Sequence, residues 1–159
     1  MAQYAAHMLS PIGRIAVLAS HTGVTSVLHG EAAEAVDLPI SEIARRAAKE
    51  LAEYFARLRT SFTVPLDPSG TPFELEVYRA LLSIPYGETT SYAELASMVS
   101  RPSAARAVGS ALSRNPCLII VPCHRVLPSS GGVGLFALGP SVKRFLLELE
   151  SSDDLPHAP

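Results

Sequence analysis

The stretch that most constrains this chain is Leu118-Ile119-Ile120-Val121-Pro122-Cys123-His124-Arg125-Val126. Four apolar residues, three of them β-branched, end at a proline, and a thiol, an imidazole and a guanidinium follow at once. Such a run predicts a buried strand that delivers Cys-His at its mouth. A free cysteine there has two readings. Free Cys is among the most buried residue types and packs as a small hydrophobe. A thiolate beside a positive group is instead a nucleophile. Pro122 and the polar His124-Arg125 pair carry the chain out of the core, which favours chemistry.

Bulk properties narrow the setting. A chain of 159 residues allows one domain or two small ones, and 48% hydrophobic content supplies a core. No apolar run approaches a membrane span, and Met1-Ala2-Gln3-Tyr4 lacks the charged start of a signal peptide. Two cysteines make no disulfide framework. If the segment between Cys117 and Cys123 is extended, its six steps span about 20 Å, too far to bridge. A reduced, cytoplasmic protein is expected. The net charge of −2 argues by itself against a nucleic-acid partner, but its distribution argues the other way. Arg101, Arg106, Arg114, Arg125, Lys143 and Arg144 fall in a stretch with no Asp or Glu, giving +6 over 44 residues. Clustering of this kind is the footprint of a phosphate-binding face.

Along the chain, Ile15-Ala16-Val17-Leu18 and Val24-Thr25-Ser26-Val27-Leu28 predict a hairpin around His21-Thr22-Gly23. From Ile40 to Leu58 the apolar period lengthens to three and four residues, which predicts an amphipathic helix. Phe62-Thr63-Val64-Pro65-Leu66 fits an edge strand. His7, His21 and His29 have no ligand spacing with any cysteine and read as surface or loop residues. Asp67-Pro68-Ser69-Gly70 is the natural boundary. Thr71-Pro72-Phe73-Glu74 and Ser91-Tyr92-Ala93-Glu94 are capping boxes opening two helices, and a third runs from about Ser103 to Ser113. The last two of these helices form a helix-turn-helix candidate. The second is slim, built on Ala104, Ala105, Ala107, Gly109, Ser110 and Ala111 with Arg106 rising from it. Close packing on another helix or close approach to an external surface would each favour that composition. A glycine-rich loop, Ser129 to Gly134, leads to a last helix from Ser141 to Glu150. The tail, 151–159, reads as disordered.

Taken together, Ser91-Tyr92, Ala104-Ala105-Arg106-Ala107-Val108-Gly109, Asn115-Pro116, Ile120-Val121-Pro122-Cys123-His124-Arg125-Val126 and Lys143-Arg144-Phe145-Leu146-Leu147-Glu148-Leu149-Glu150 resemble the O6-alkylguanine-DNA alkyltransferases. The match is strong from about Thr71 to Glu150 and extends more weakly to Ser10-Pro11-Ile12-Gly13. The resemblance implies an α+β fold: a small ribonuclease-H-like α/β domain over 1–67, then a winged helix-turn-helix-type domain over 71–150. It implies repair of double-stranded DNA carrying O6-alkylguanine, with the alkyl group moved once and for good onto Cys123. No cofactor, no metal, no membrane and no obligate protein partner are implied. By the same resemblance, His124 is the base, acting through a water, and Glu150 orients it. Tyr92 protonates the guanine ring, and Asn115 ties the helix-turn-helix to the cysteine loop. The target carbon lies inside the duplex, so the nucleotide must be flipped out. Arg106 matches the residue that fills the gap from the minor groove, and Ser129 matches a phosphate contact. Val126, Phe136, Ala137, Leu138 and Lys143 complete the candidates for contact with substrate or DNA.

The chain also departs from the family. Relatives usually follow the loop glycine with Tyr, then Ser or Arg, then Gly or Trp; here the run is Leu135-Phe136-Ala137-Leu138-Gly139-Pro140. The pocket wall thus lacks a phenol at 136 and a polar group at 137, and Leu138 adds apolar volume at what the resemblance makes the lip. A second reading is a non-enzymatic lesion sensor of the alkyltransferase-like type, which replaces the nucleophile; Cys123 argues against it. A cysteine hydrolase would need an oxyanion hole and a distal His.

Overall fold

The computed structural model describes residues 3–151. They divide into two units, 3–69 with 116–120 and 70–115 with 121–151.

The first unit is a three-stranded antiparallel sheet with one long helix. Strand β1 (Tyr4–Ser10) pairs with β2 (Gly13–Ala19), and β2 with β3 (Val24–His29), in the order β1-β2-β3. The predicted hairpin is β2–β3, while β1 escaped sequence reading because Tyr-Ala-Ala-His-Met-Leu-Ser does not alternate. A single helical turn, α1 (Glu31–Glu34), is likewise too short to leave a period. Helix α2 (Glu42–Phe55) starts where Ser41 accepts the Ala44 N–H, and lays Ala44, Ala47, Leu51 and Tyr54 in the core. The stretch 62–66 is not an edge strand. It contributes one isolated bridge, Leu66 to Val24, because Pro65 has no N–H to extend a ladder and its carbonyl accepts the Val24 N–H instead. Glu50 holds this stretch, accepting from the Thr63 N–H at 2.8 Å. Segment 116–120 belongs to this unit: the Val27 N–H donates to Pro116 O at 2.8 Å, and the buried Cys117 thiol points at Val24 O at 3.7 Å.

The second unit carries the helices. Thr71 and Glu74 close the predicted capping box of α3 (Pro72–Leu81), and Ser91 caps α4 (Tyr92–Met98). Ser100, with φ 59, turns the chain into α5 (Ala105–Ser113). Helices α4 and α5 pack on each other, and the Tyr78 hydroxyl of α3 donates to Ala111 O of α5 at 3.0 Å. Strand β4 (Thr90–Ser91) pairs in parallel with β5 (Val126–Leu127), which seats the start of α4 beside the cysteine segment. Helix α6 (Pro140–Ser151) packs on that segment. Ser151 is helical, against the expectation of a disordered tail from that position; 152–159, the rest of that expected tail, lie outside the described residues.

Residues 118–121 are buried but are not a strand. The Ile120 N–H donates to Leu118 O across Ile119, whose φ is 74, and the Cys123 N–H donates to Val121 O across Pro122, at φ −82 and ψ 64. These are two successive γ-turns. Burial on all sides gives the same continuous apolar run as a central strand, so periodicity could not separate them. A β-branched residue at positive φ is a strained position that its surroundings must hold.

Candidate active site

Cys123, His124 and Arg125 form one 3-10 turn after the second γ-turn, and all three are buried. The turn splits their directions. Cys123 opens onto a pocket of about 400 Å³, lined also by Tyr92, Gly109, Leu112, Ser113, Leu135, Phe136 and Ala137. That volume admits a small aromatic ligand, and its walls are largely apolar. Gly134 fixes the path of the far wall: its φ is 74, and a Cβ there would stand 2.8 Å from Pro128 Cγ. Any side chain would push the 134–137 strip off its course.

His124 is fully buried, and its Nε2 lies 2.7 Å from Glu150 Oε2. Arg125 grips the same carboxylate twice, Nε to Oε1 at 2.8 Å and Nη2 to Oε2 at 3.0 Å, and donates from Nη1 to Ile84 O at 2.6 Å. Burial raises the Glu150 carboxyl's pKa, but hydrogen bonds from His124 and Arg125 and the Arg125 charge outweigh it and leave it at about 2. An ionised carboxylate only accepts, so the Nε2 facing it carries the proton and Nδ1 keeps its lone pair. Nδ1 has no hydrogen-bond partner, alone among buried side-chain polar atoms of the described residues. Burial lowers the imidazole's own pKa, against the pull of Glu150, which keeps the ring neutral.

Burial pushes the Cys123 thiol up, opposed by a hydrogen bond from Asn115 and by the charge of Lys143. The Asn115 amide also donates to Val121 O at 2.8 Å, holding the end of α5 to the γ-turns. Tyr92, half-buried on the pocket wall, has its phenol raised by desolvation and then by the Cys123 charge. Burial pushes the Cys117 thiol up to about 12. Of the two thiols, Cys123 is the one that lines this pocket.

The candidates therefore separate. Cys123, Tyr92, Phe136 and Ala137 meet at the pocket, and His124 meets Glu150 behind it. Leu138 is not among the lining residues; Leu135, which the sequence did not single out, is. Arg106 and Ser129 are exposed and outside the pocket. Val126 is buried in β5, and its carbonyl accepts from Lys143 Nζ at 2.7 Å. Lys143 is 1% exposed, so it cannot sit on a phosphate-binding face. It ties the cysteine segment to the pocket wall, donating to Leu135 O at 3.2 Å as well. Arg125 is also internal, so two of the six clustered charges are not at the surface. Its pairing with Glu150 was the functional contact the sequence hid, since nothing local links residues 25 apart.

Residues 72–152 match the family model described as 6-O-methylguanine DNA methyltransferase, DNA binding domain, and residues 4–68 match the ribonuclease-like domain of the same proteins. The chain belongs to the O6-methylguanine DNA methyltransferase family. The α+β class with two such parts, expected from the sequence, holds. A methylated-DNA–protein-cysteine methyltransferase of Methanosarcina acetivorans is 43% identical over 94% of this chain and 99% of its own length. The protein of that name from Mycobacterium leprae is 47% identical over 90% of this chain and 89% of its own. Among solved structures, Mycobacterium tuberculosis O6-methylguanine methyltransferase superposes with a TM-score of 0.86 at 40% identity, covering 98% of this chain and 96% of that one. The M. tuberculosis protein in complex with DNA gives 0.83 at 42%, covering 95% and 93%. Among the described residues no helix is long and apolar enough to cross a membrane.

Proposed function

We propose that this family member repairs O6-alkylguanine in double-stranded DNA by moving the alkyl group, chiefly methyl, onto Cys123, once per molecule. The observation that carries the reading is a buried thiol facing an apolar pocket, with a neutral imidazole next to it in the chain whose free nitrogen is Nδ1. In the reaction, Nδ1 of His124 takes the thiol proton through a water. The sulfur attacks the alkyl carbon; the S–C bond forms as the C–O6 bond breaks, and its electron pair stays on the guanine. Tyr92 supplies a proton to the ring, so that one proton has passed in net from thiol to base. Guanine then leaves neutral, and the thioether stays on the protein.

Thiolate suits this displacement because carbon attached to oxygen needs a strong, soft nucleophile. Glu150 and Arg125 fix the imidazole's tautomer and orientation, the part played by the third group of other activated nucleophiles. The Lys143 ammonium offsets the sulfur's developing charge. Arg106 on the slim α5 would replace the flipped nucleotide and Ser129 would contact a phosphate; the exposure of both supports this. A lesion sensor is disfavoured because the acceptor thiol is present.

Incubation with duplex DNA carrying a labelled O6-methylguanine, followed by digestion and mass spectrometry, tests the reading. Label belongs on the peptide containing Cys123, in a one-to-one limit. Binding without transfer, or label on Cys117, refutes it.

A further inference from the structure

The pocket wall has one feature that the reaction does not explain. Leu135 lines the pocket and is 90% exposed, the most exposed large apolar side chain among the described residues. A leucine held this far into water exposes nearly all its surface, and apolar area covered there contributes in proportion to its extent. Its backbone is not free to carry it away. The Leu135 carbonyl accepts from buried Lys143, and Gly134 before it runs so close to Pro128 that a Cβ there would stand 2.8 Å from its Cγ. The neighbours on the same wall, Phe136 and Ala137, offer no side-chain hydrogen-bonding group. Of the remaining lining, the Ser113 hydroxyl donates to Ser110 O at 2.7 Å, and the alkyl-transfer reading assigns the Tyr92 hydroxyl to the purine ring.

We infer that Leu135 is a specificity-determining residue: a fixed apolar lip that selects O6 substituents by polarity rather than by length. The inference rests on the alkyl-transfer reading above. A substituent longer than methyl extends along the wall of Leu135, Phe136 and Ala137. A terminal methyl covers apolar area there, whereas a terminal hydroxyl gives up part of its water and finds no side-chain partner on that wall. Size is matched between O6-propylguanine and O6-(2-hydroxyethyl)guanine, which differ only in CH₃ against OH. Hydrophobic pockets reject an added hydroxyl by up to about a hundredfold, so the wild type is expected to prefer propyl by roughly tenfold or more.

The experiment measures transfer rates to Cys123 from O6-methyl-, O6-propyl- and O6-(2-hydroxyethyl)guanine in one duplex sequence, for wild type, Leu135→Asn and Leu138→Ala. Leu135→Asn, similar in size and able to hydrogen-bond, should cut the propyl-to-hydroxyethyl ratio at least threefold, while Leu138→Ala keeps the wild-type ratio. A wild-type ratio near one, an unchanged ratio in Leu135→Asn, or an equal fall in Leu138→Ala overturns the inference with alkyl transfer intact. Failure of the wild type to take even methyl overturns the parent reading and this one together.

Discussion

Replacing Glu150 by Gln is the sharpest physical test of the buried network. The carboxylate is held by three bonds, from His124 Nε2 and twice from Arg125, and is 4% exposed. Glutamine keeps the shape and one acceptor oxygen but removes the charge, which leaves the buried Arg125 guanidinium facing neutral carbonyls, Ile84 O among them, in place of a carboxylate. Breaking one partner out of a buried ion pair costs about 3–5 kcal/mol. The proton linkage gives a second route to the number. A fall from 4.5 to about 2 is worth about 3 kcal/mol at most, at about 1.4 kcal/mol per unit. Both routes agree that the loss is a large fraction of an ordinary domain's stability.

The sign follows from the direction of the shift. The folded-state carboxyl titrates below its unfolded value, so its contribution is fully present above about pH 4.5 and is lost as pH falls toward 2. Urea unfolding of wild type and Glu150→Gln should therefore differ most near neutral pH, with the two curves converging across that acid window. Arg125→Gln combined with Glu150→Gln should recover part of the single-mutant loss, because the stranded cation is removed too. Parallel stability curves between pH 5 and 2 would refute the argument, as they would mean that Glu150 is not the group that titrates.

Other consequences are simpler to read. Cys123→Ser should abolish alkyl transfer while keeping DNA affinity within a few-fold, measured by label transfer and by titration of labelled duplex. Arg106→Ala should slow repair of duplex DNA far more than reaction with a free alkylated base; equal loss on both would make Arg106 structural. DNA affinity should be independent of sequence and fall with salt between about 50 and 200 mM, and a flat response would exclude phosphate contacts by arginine.

Much of this was legible in the chain, for physical reasons that also mark where legibility stops. The caps of α3 and α4 were readable because capping is local: Thr71 and Glu74 form the full box, while at α4 only the Ser91 half forms and the Glu94 carboxylate accepts from the Ser91 hydroxyl instead. Helix α2 was readable because its apolar stripe repeats over 14 residues. The cysteine segment was readable as chemistry but not as structure. Its γ-turns leave the same hydrophobic run as a strand, and only Pro122 hinted at the break. Grouping His124 with Glu150 came from resemblance, since no spacing rule joins positions 26 apart. Arg125 had no such guide, and it was counted with the surface charges.

Burial of Arg125 and Lys143 changes the expected electrostatics. Six clustered charges would imply a steep salt dependence, because each phosphate neutralised releases counterions. Arg125 is spent on Glu150 and Lys143 on two carbonyls, so four arginines remain at the surface: Arg101, Arg106, Arg114 and Arg144. Two of these already have partners, Arg114 paired with Glu74 at 3.2 Å and Arg101 over the Phe73 ring at 5.3 Å. Exposed pairs of this kind are weak and can exchange for a phosphate. With the cluster supplying four arginine contacts, its share of the slope of log affinity against log salt should be about −4, where all six charges would give about −5. The charge run is thus divided between two tasks: its exposed members are available to phosphate, and its buried ones hold and tune the acceptor cysteine.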